Sequence, residues 1–207
     1  MNTPVTTEPP ADPIQRQPRE SVVIRFAGDS GDGMQITGSE FTVETALAGN
    51  DLATFPDFPA EIRAPAGTTF GVSAFQIHFS SGEVMTAGDE LDALVVMNPA
   101  ALKVNLKDLR AGGTLVCDIS SFTARNLTKA GYSANPLDDT SLSDYRVIKL
   151  DVTKLNAEAV KPFGLGAKEA IRCRNMWTLE RALIDVPHRR IRFSQKYVER
   201  MRARYVA

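Results

Sequence analysis

The run at residues 21–41, SVVIRFAGDSGDGMQITGSEF, constrains the fold more than any other part of the chain. Val22, Val23, Ile24 and Phe26 have the apolar density of a buried strand, and the run stops at Gly28. Gly28, Gly31 and Gly33 fall within six positions, and a segment able to form a helix begins at Met34. Strand, glycine-rich turn and helix is a layout that aims backbone N–H groups and a helix N-terminus at an anion. It points to a βα unit of an α/β domain and to a nucleotide-like ligand near residues 28–38.

The turn departs from the dinucleotide fingerprint, which needs glycine at its first, third and sixth places. Counted from Gly28, the third place is Ser30 and the sixth is Gly33. No Gly-Lys-Ser or Gly-Lys-Thr follows, which excludes a P-loop. Asp29 and Asp32 bring negative charge to the place of a phosphate, unless their carboxylates cap backbone N–H groups instead. A tight βα connection without any ligand needs the same glycines. Both readings stand at this point.

The rest of the chain alternates between strand and helix patterns. A strand is expected over residues 21–27 and a helix over 34–48, with Ile36, Phe41, Val43 and Leu47 as its apolar stripe. Residues 51–65, dense in proline and aromatics (FPDFP), read as a rigid extended loop rather than a regular element. Alternation over 70–80 reads as a strand, and the unbroken run Leu94, Val95, Val96, Met97 as one buried on both faces. A short helix over 100–109, with Lys103 and Lys107 outward, ends at Gly112 and Gly113. Strands follow at 114–118 and 145–150, and residues 158–179 are interrupted by Pro162, Gly164 and Gly166 before turning helical. The pattern predicts a three-layer, Rossmann-like α/β domain at 21–179 with a mostly parallel sheet.

Residues 1–20, rich in Pro, Thr and acidic groups, read as a disordered lead without the apolar stretch of a signal peptide. That makes a cytoplasmic location the expectation. Residues 180–207 hold eight Arg or Lys against three acidic residues and read as a basic helical tail. A formal net charge of −1 gives no reason to expect nucleic acid or a membrane as partner.

Cys117 and Cys173 stand 56 positions apart and outside any CxxC, so this chain alone is a poor source of ligands for an iron–sulfur cluster or structural zinc. Cys117 reads as a buried, unpaired thiol. His78, in FQIHF, reads as a strand residue facing a partner, and with His188 it is the whole histidine supply. No catalytic residue and no metal ligand is assigned. The candidate binding residues are Gly28, Ser30, Gly31, Asp32 and Gly33 in the turn, with Arg63, Thr68, Asn98 and Lys103 beyond it. Arg63, in EIRAPAGT, either grips a phosphate or carboxylate with its fork or pairs with Glu61 or Asp57. Asn98 ends a buried strand, where ligand clefts of α/β sheets open.

Four segments carry a resemblance: GDSGDGMQITGSEF at 28–41, FPDFPAEIRAPAGTTFGVSAFQIHF at 55–79, DELDALVVMNPAALKVNL at 89–106 and KEAIRCRNMWTLE at 168–180. In this order they resemble the gamma-type domain at the N-terminus of the alpha subunit of 2-oxoacid:ferredoxin oxidoreductases, most of all the 2-oxoglutarate branch. The resemblance implies oxidative decarboxylation of a 2-oxoacid with coenzyme A, giving acyl-CoA, CO2 and reduced ferredoxin. It implies thiamine diphosphate, Mg and iron–sulfur clusters in the complete complex but not bound by this chain alone. For this domain it implies coenzyme A binding and a role in assembly, with the remaining alpha-subunit domains and the beta subunit as partners and ferredoxin as acceptor. Relatives place Gly-x-Gly-Ser-Asp-Gly-Thr at the turn; Gly28, Asp32 and Gly33 match, while Ser30, Gly31 and Met34 depart. Past Leu179 the sequence turns arginine-rich where the family continues into a pyrimidine-binding domain. A separate short subunit and a truncated or frame-shifted copy both give that pattern.

Overall fold

A computed structural model describes residues 20–61, 63–175 and 178. The expected lead at 1–20 lies outside the described residues except for Glu20, and the basic tail with His188 lies wholly outside them. A six-stranded sheet in the order β2-β3-β1-β4-β5-β6 forms the middle layer. Its strands are β1 (Ser21–Asp29), β2 (Asp51–Asp57), β3 (Val72–Ser80), β4 (Leu91–Val96), β5 (Leu109–Asp118) and β6 (Arg146–Leu150). β1, β4, β5 and β6 pair in parallel, while β3 runs antiparallel to both β1 and β2. The expected mostly parallel α/β sheet is present.

Helices α1 (Met34–Leu47) and α4 (Val152–Val160) supply side chains to the apolar cluster on one sheet face. Ile24, Phe26, Phe41, Ile77, Phe79 and Val95 form its centre. Phe26, Phe41 and Phe79 pack as tilted rings with centroids 5.5 Å apart in each adjoining pair, a favoured aromatic geometry. The other face carries α2 (Pro99–Asn105) with Leu94, Val96, Leu102, Leu115 and Cys117, and the segment with α3 (Ala124–Lys129) closes it. Strand alternation divides the two clusters: Val95 and Val116 face one way, Leu94, Leu115 and Cys117 the other. Helix α5 (Ala167–Arg172) follows α4.

On the α2 face, over β3 and β1, the connection 81–90 does the covering in place of a helix. The Gln76 amide donates to the carbonyls of Ala87 (2.6 Å) and Gly88 (2.7 Å), and His78 Nδ1 bonds the Thr86 carbonyl at 2.6 Å. His78 Nε2 meets Ser21 Oγ at 2.7 Å across the β1–β3 ladder, so this histidine does face a strand partner. Arg25 fastens the same layer to the end of α2 through Gln76, Asn105 and Asp108.

Three expectations need correction. Residues 51–57 are an edge strand, not a loop: β2 pairs along β3 from Asp51 opposite Ser80 to Asp57 opposite Ala74. An edge strand tolerates Pro56 because a missing N–H costs little there. The apolar stripe read for α1 is also not its buried face. Ile36, Val43 and Leu47 are exposed, while Met34, Thr37, Gly38, Phe41, Glu44 and Thr45 are buried. Gly38 lies so close to the Phe75 ring that a side chain there would overlap it, and closeness to β3 replaces bulk in this contact. Finally, α2 ends at Asn105, and β5 already begins at Leu109, so Gly112 and Gly113 lie inside a strand. The short helix α3 and the start of α4 at Val152 had no clear signal in the sequence pattern.

Candidate functional site

The connection after β1 runs through α1 toward β2, and that after β4 runs through α2 toward β5. These go to opposite sides, so the carboxyl ends of β1 and β4 border the topological switch point, where open α/β sheets form ligand crevices. The sequence places the turn 28–33 and Asn98 there.

The turn is held by its own carboxylates. The Asp29 N–H donates to Asp32 Oδ2 at 2.9 Å, the Asp32 N–H to the Asp29 carbonyl at 2.8 Å, and the Ser30 N–H to the Gly71 carbonyl at 3.2 Å. Asp29 Oδ2 accepts from the Gly67 N–H at 2.8 Å, which brings the loop 63–68 against the turn. The two acidic residues thus serve as backbone caps, one of the alternatives the sequence left open. Gly33 has φ 76°, a left-handed conformation natural to glycine, and forms the N-cap of α1. Ser30 and Gly31 are exposed, and a side chain at Gly31 would meet open space.

Among the other candidates, Asn98 is buried and caps α2, its Oδ1 accepting from the Ala101 N–H at 2.8 Å. Thr68 Oγ1 donates to the Pro65 carbonyl at 2.7 Å and stiffens the 65–68 turn. Arg63 is exposed on the same loop and pairs with neither Glu61 nor Asp57. Lys129 reaches this loop from α3, its Nζ donating to the Ala66 carbonyl at 2.8 Å. Lys103 stands apart in the last turn of α2. Its Nζ donates to the carbonyls of Ala130 (2.9 Å) and Gly131 (2.8 Å) and lies 5.1 Å from the Tyr132 ring centroid. The structure therefore gathers Gly28, Ser30, Gly31, Asp32, Gly33, Thr68, Asn98 and the Arg63 loop, and leaves Lys103 outside the group.

Sequence reasoning missed Asp118, Arg174, Asn175 and Thr178. Asp118 ends β5 with 1% exposure; its Oδ1 accepts from the Ser120 N–H and hydroxyl and from the Val152 N–H. Burial raises its pKa above the ordinary carboxylate value, opposed by the Ser120 bonds and the Arg174 charge. Burial and then the neighbouring Asp32 charge raise Asp29 in the same direction, opposed by the Gly67 N–H, Asn98 and Lys129. Arg174 donates to Asp32 Oδ1 at 3.0 Å and lies 3.9 Å from Asp118 Oδ2. The interior of the crevice is acidic with one guanidinium between, which disfavours a diphosphate inside it. Arg63 is exposed on the outer rim, and Lys129 reaches the same rim with its Nζ bonded to the Ala66 carbonyl.

Cys117 is buried and free, and burial pushes its thiol up to about 12, so it is held as an unreactive neutral thiol. Cys173 is also free. Among the described residues no group of three or more His, Cys, Asp and Glu side chains is placed to hold a metal, and two cysteines in the whole chain do not fit a four-thiolate cluster. Among the described residues no helix is long and apolar enough to cross a membrane.

Residues 23–182 match the family model described as pyruvate ferredoxin/flavodoxin oxidoreductase. Over 164 residues the chain is 57% identical to 2-oxoglutarate oxidoreductase subunit KorA of Mycobacterium tuberculosis, covering 79% of this chain and 25% of that protein. The chain thus spans about a quarter of the length of this curated relative. Among solved structures it resembles 2-oxoglutarate:ferredoxin oxidoreductase from Magnetococcus marinus, which has 2-oxoglutarate, coenzyme A and succinyl-CoA bound. That likeness has a TM-score of 0.55 at 23% identity, over 81% of this chain and 27% of that one. It also resembles the gamma subunit of a keto/oxoacid ferredoxin oxidoreductase from Geobacter sulfurreducens, with a TM-score of 0.50 at 17% identity over 89% of this chain and 92% of that one. At these identities the two structures speak for the fold.

Proposed function

The chain belongs to the pyruvate ferredoxin/flavodoxin oxidoreductase family, and from that premise we propose that it is one part of a 2-oxoglutarate:ferredoxin oxidoreductase. The reaction is oxidative decarboxylation of the 2-oxoacid with coenzyme A, giving acyl-CoA, CO2 and two reducing equivalents for ferredoxin. The observation that carries the substrate branch is the 57% identity to the mycobacterial subunit over 164 residues. In this proposal the chain works in the cytoplasm and assembles with the remaining alpha-subunit domains and the beta subunit. Those parts hold thiamine diphosphate with Mg and the iron–sulfur clusters, which supply carbanion stabilisation and electron transfer.

The contribution of this domain is coenzyme A binding and assembly. The ligand lies along the outer rim, over exposed Ser30 and Gly31, with its phosphates toward Arg63 and Lys129 and its amides toward the crevice mouth. Asn98 and Asp29 stand together at that mouth, the Asn98 side chain lowering the Asp29 pKa as a hydrogen-bonding neighbour. Gly28, Asp32, Gly33 and Thr68 shape the rim from behind, and Lys103 acts at a distance by holding the 130–131 turn.

The test is an assay of the purified chain with 2-oxoglutarate, coenzyme A and a viologen dye, alone and after co-purification with the partner polypeptides. The proposal expects an iron-free, inactive chain alone and dye reduction by the assembled complex. Turnover by the chain alone, stoichiometric iron in it, or a complex active without this chain would refute the proposal.

A further inference from the structure

Arg174, Asn175 and Thr178 sit where an α/β sheet ordinarily receives its ligand. Arg174 reaches two strand ends at once: the turn after β1 through Asp32 Oδ1 at 3.0 Å, and the end of β5 through Asp118 Oδ2 at 3.9 Å. Thr178 is 3% exposed, and its hydroxyl lies 3.6 Å from the Met97 sulfur at the end of β4. Asn175 is 7% exposed and packs on Gly33, where an added Cβ would come 2.5 Å from its Nδ2. One short stretch therefore touches the ends of all three central parallel strands. Asp32 holds the turn with its other oxygen, through the Asp29 N–H, so the guanidinium and the turn geometry share a single carboxylate.

We infer that Arg174 is a positioning residue that latches itself, Asn175 and Thr178 into the switch-point crevice and so ties their placement to the shape of the turn at 28–33. The crevice interior is a socket for the chain itself, which leaves only its rim for an external molecule. A guanidinium suits the task because its fork spans two carboxylates that a point charge serves one at a time. The latch follows from geometry within this chain and stands whether or not the rim binds coenzyme A.

Amide hydrogen exchange of the full chain, read by mass spectrometry, tests it. Segment 174–178 is compared with the β4 strand, Leu91–Val96, as an internal reference for global opening. Arg174→Met should speed exchange of the segment about tenfold, the loss of one charge-assisted hydrogen bond expressed as local opening, with β4 unchanged. Asp32→Asn, the milder variant, should give the same selective rise from the opposite side, and Arg174→Lys should fall between wild type and Arg174→Met. Unchanged exchange of the segment in Arg174→Met and Asp32→Asn would overturn the latch. So would a proportional rise in β4, which would make the segment part of one cooperative core, or full restoration by lysine, which would reduce the contact to charge alone.

Discussion

Replacing Gly33 by alanine, with Gly31→Ala as its control, examines the turn and the latch together. Gly33 has φ 76°, and a side chain there meets the Asn175 amide; Gly31 is outside the left-handed region and faces open space. The left-handed conformation costs alanine about 1–2 kcal/mol. Pushing the buried Asn175 side chain off its preferred rotamer adds about 0.5–1.5 kcal/mol. Gly33→Ala should therefore lose roughly 2–3 kcal/mol, a fall in Tm of about 5–10 °C for a domain of this size. Gly31→Ala should stay within about 0.5 kcal/mol of wild type, or gain slightly from a less flexible unfolded chain. In an Asn175→Ala background the Gly33→Ala loss should shrink to the backbone part, a coupling of at least about 0.5 kcal/mol. Differential scanning calorimetry of the four variants measures this. Equal losses at Gly31 and Gly33, or an additive cycle with Asn175, would refute the reasoning.

Two further outcomes follow from the rim and from the buried carboxylates. Arg63→Lys keeps the charge on an exposed loop and loses the fork, so coenzyme A affinity should fall about tenfold with an unchanged melt; unaltered affinity by calorimetry would remove Arg63 from the site. Asp29 has a native pKa above its ordinary 3.8, so the folded chain binds a proton more readily than the unfolded one. The stability this contributes is full below 3.8 and is lost as pH rises through the native value. Asp29→Asn should then show a smaller gain in stability than wild type on acidification toward about pH 4, part of the gain persisting through Asp118. Urea melts across that range check the sign, and a larger gain in the variant would contradict it.

Much of the fold was legible because β1, β3, β4 and β5 carry dense or alternating apolar residues, the direct imprint of burial on one or two faces. β2 was not, since Phe55, Pro56 and Phe58 look like loop chemistry and only pairing with β3 makes residues 51–57 a strand. The buried face of α1 escaped detection for a related reason. Thr37, Gly38, Glu44 and Thr45 are buried by closeness to the sheet, which a hydrophobicity pattern does not record. Within the site, the glycine turn and Asn98 announced themselves through local strand-end signals. Arg174 did not, because its partner Asp32 lies 142 residues away and nothing local distinguishes that arginine from its neighbour Arg172. Lys103 drew notice by its place after a strand end, and the structure commits its ammonium to the carbonyls at 130 and 131, contacts that no local pattern announces.

The central claim is that this domain brings coenzyme A to a 2-oxoacid:ferredoxin oxidoreductase, and isothermal titration of the purified chain with coenzyme A, beside NAD, tests it most directly. The account predicts saturable binding of one coenzyme A per chain, weakened by Arg63→Lys and absent for NAD. Equal binding of NAD, or no heat with coenzyme A at concentrations of about 1 mM, where even the weakest specific site would fill substantially, would contradict it.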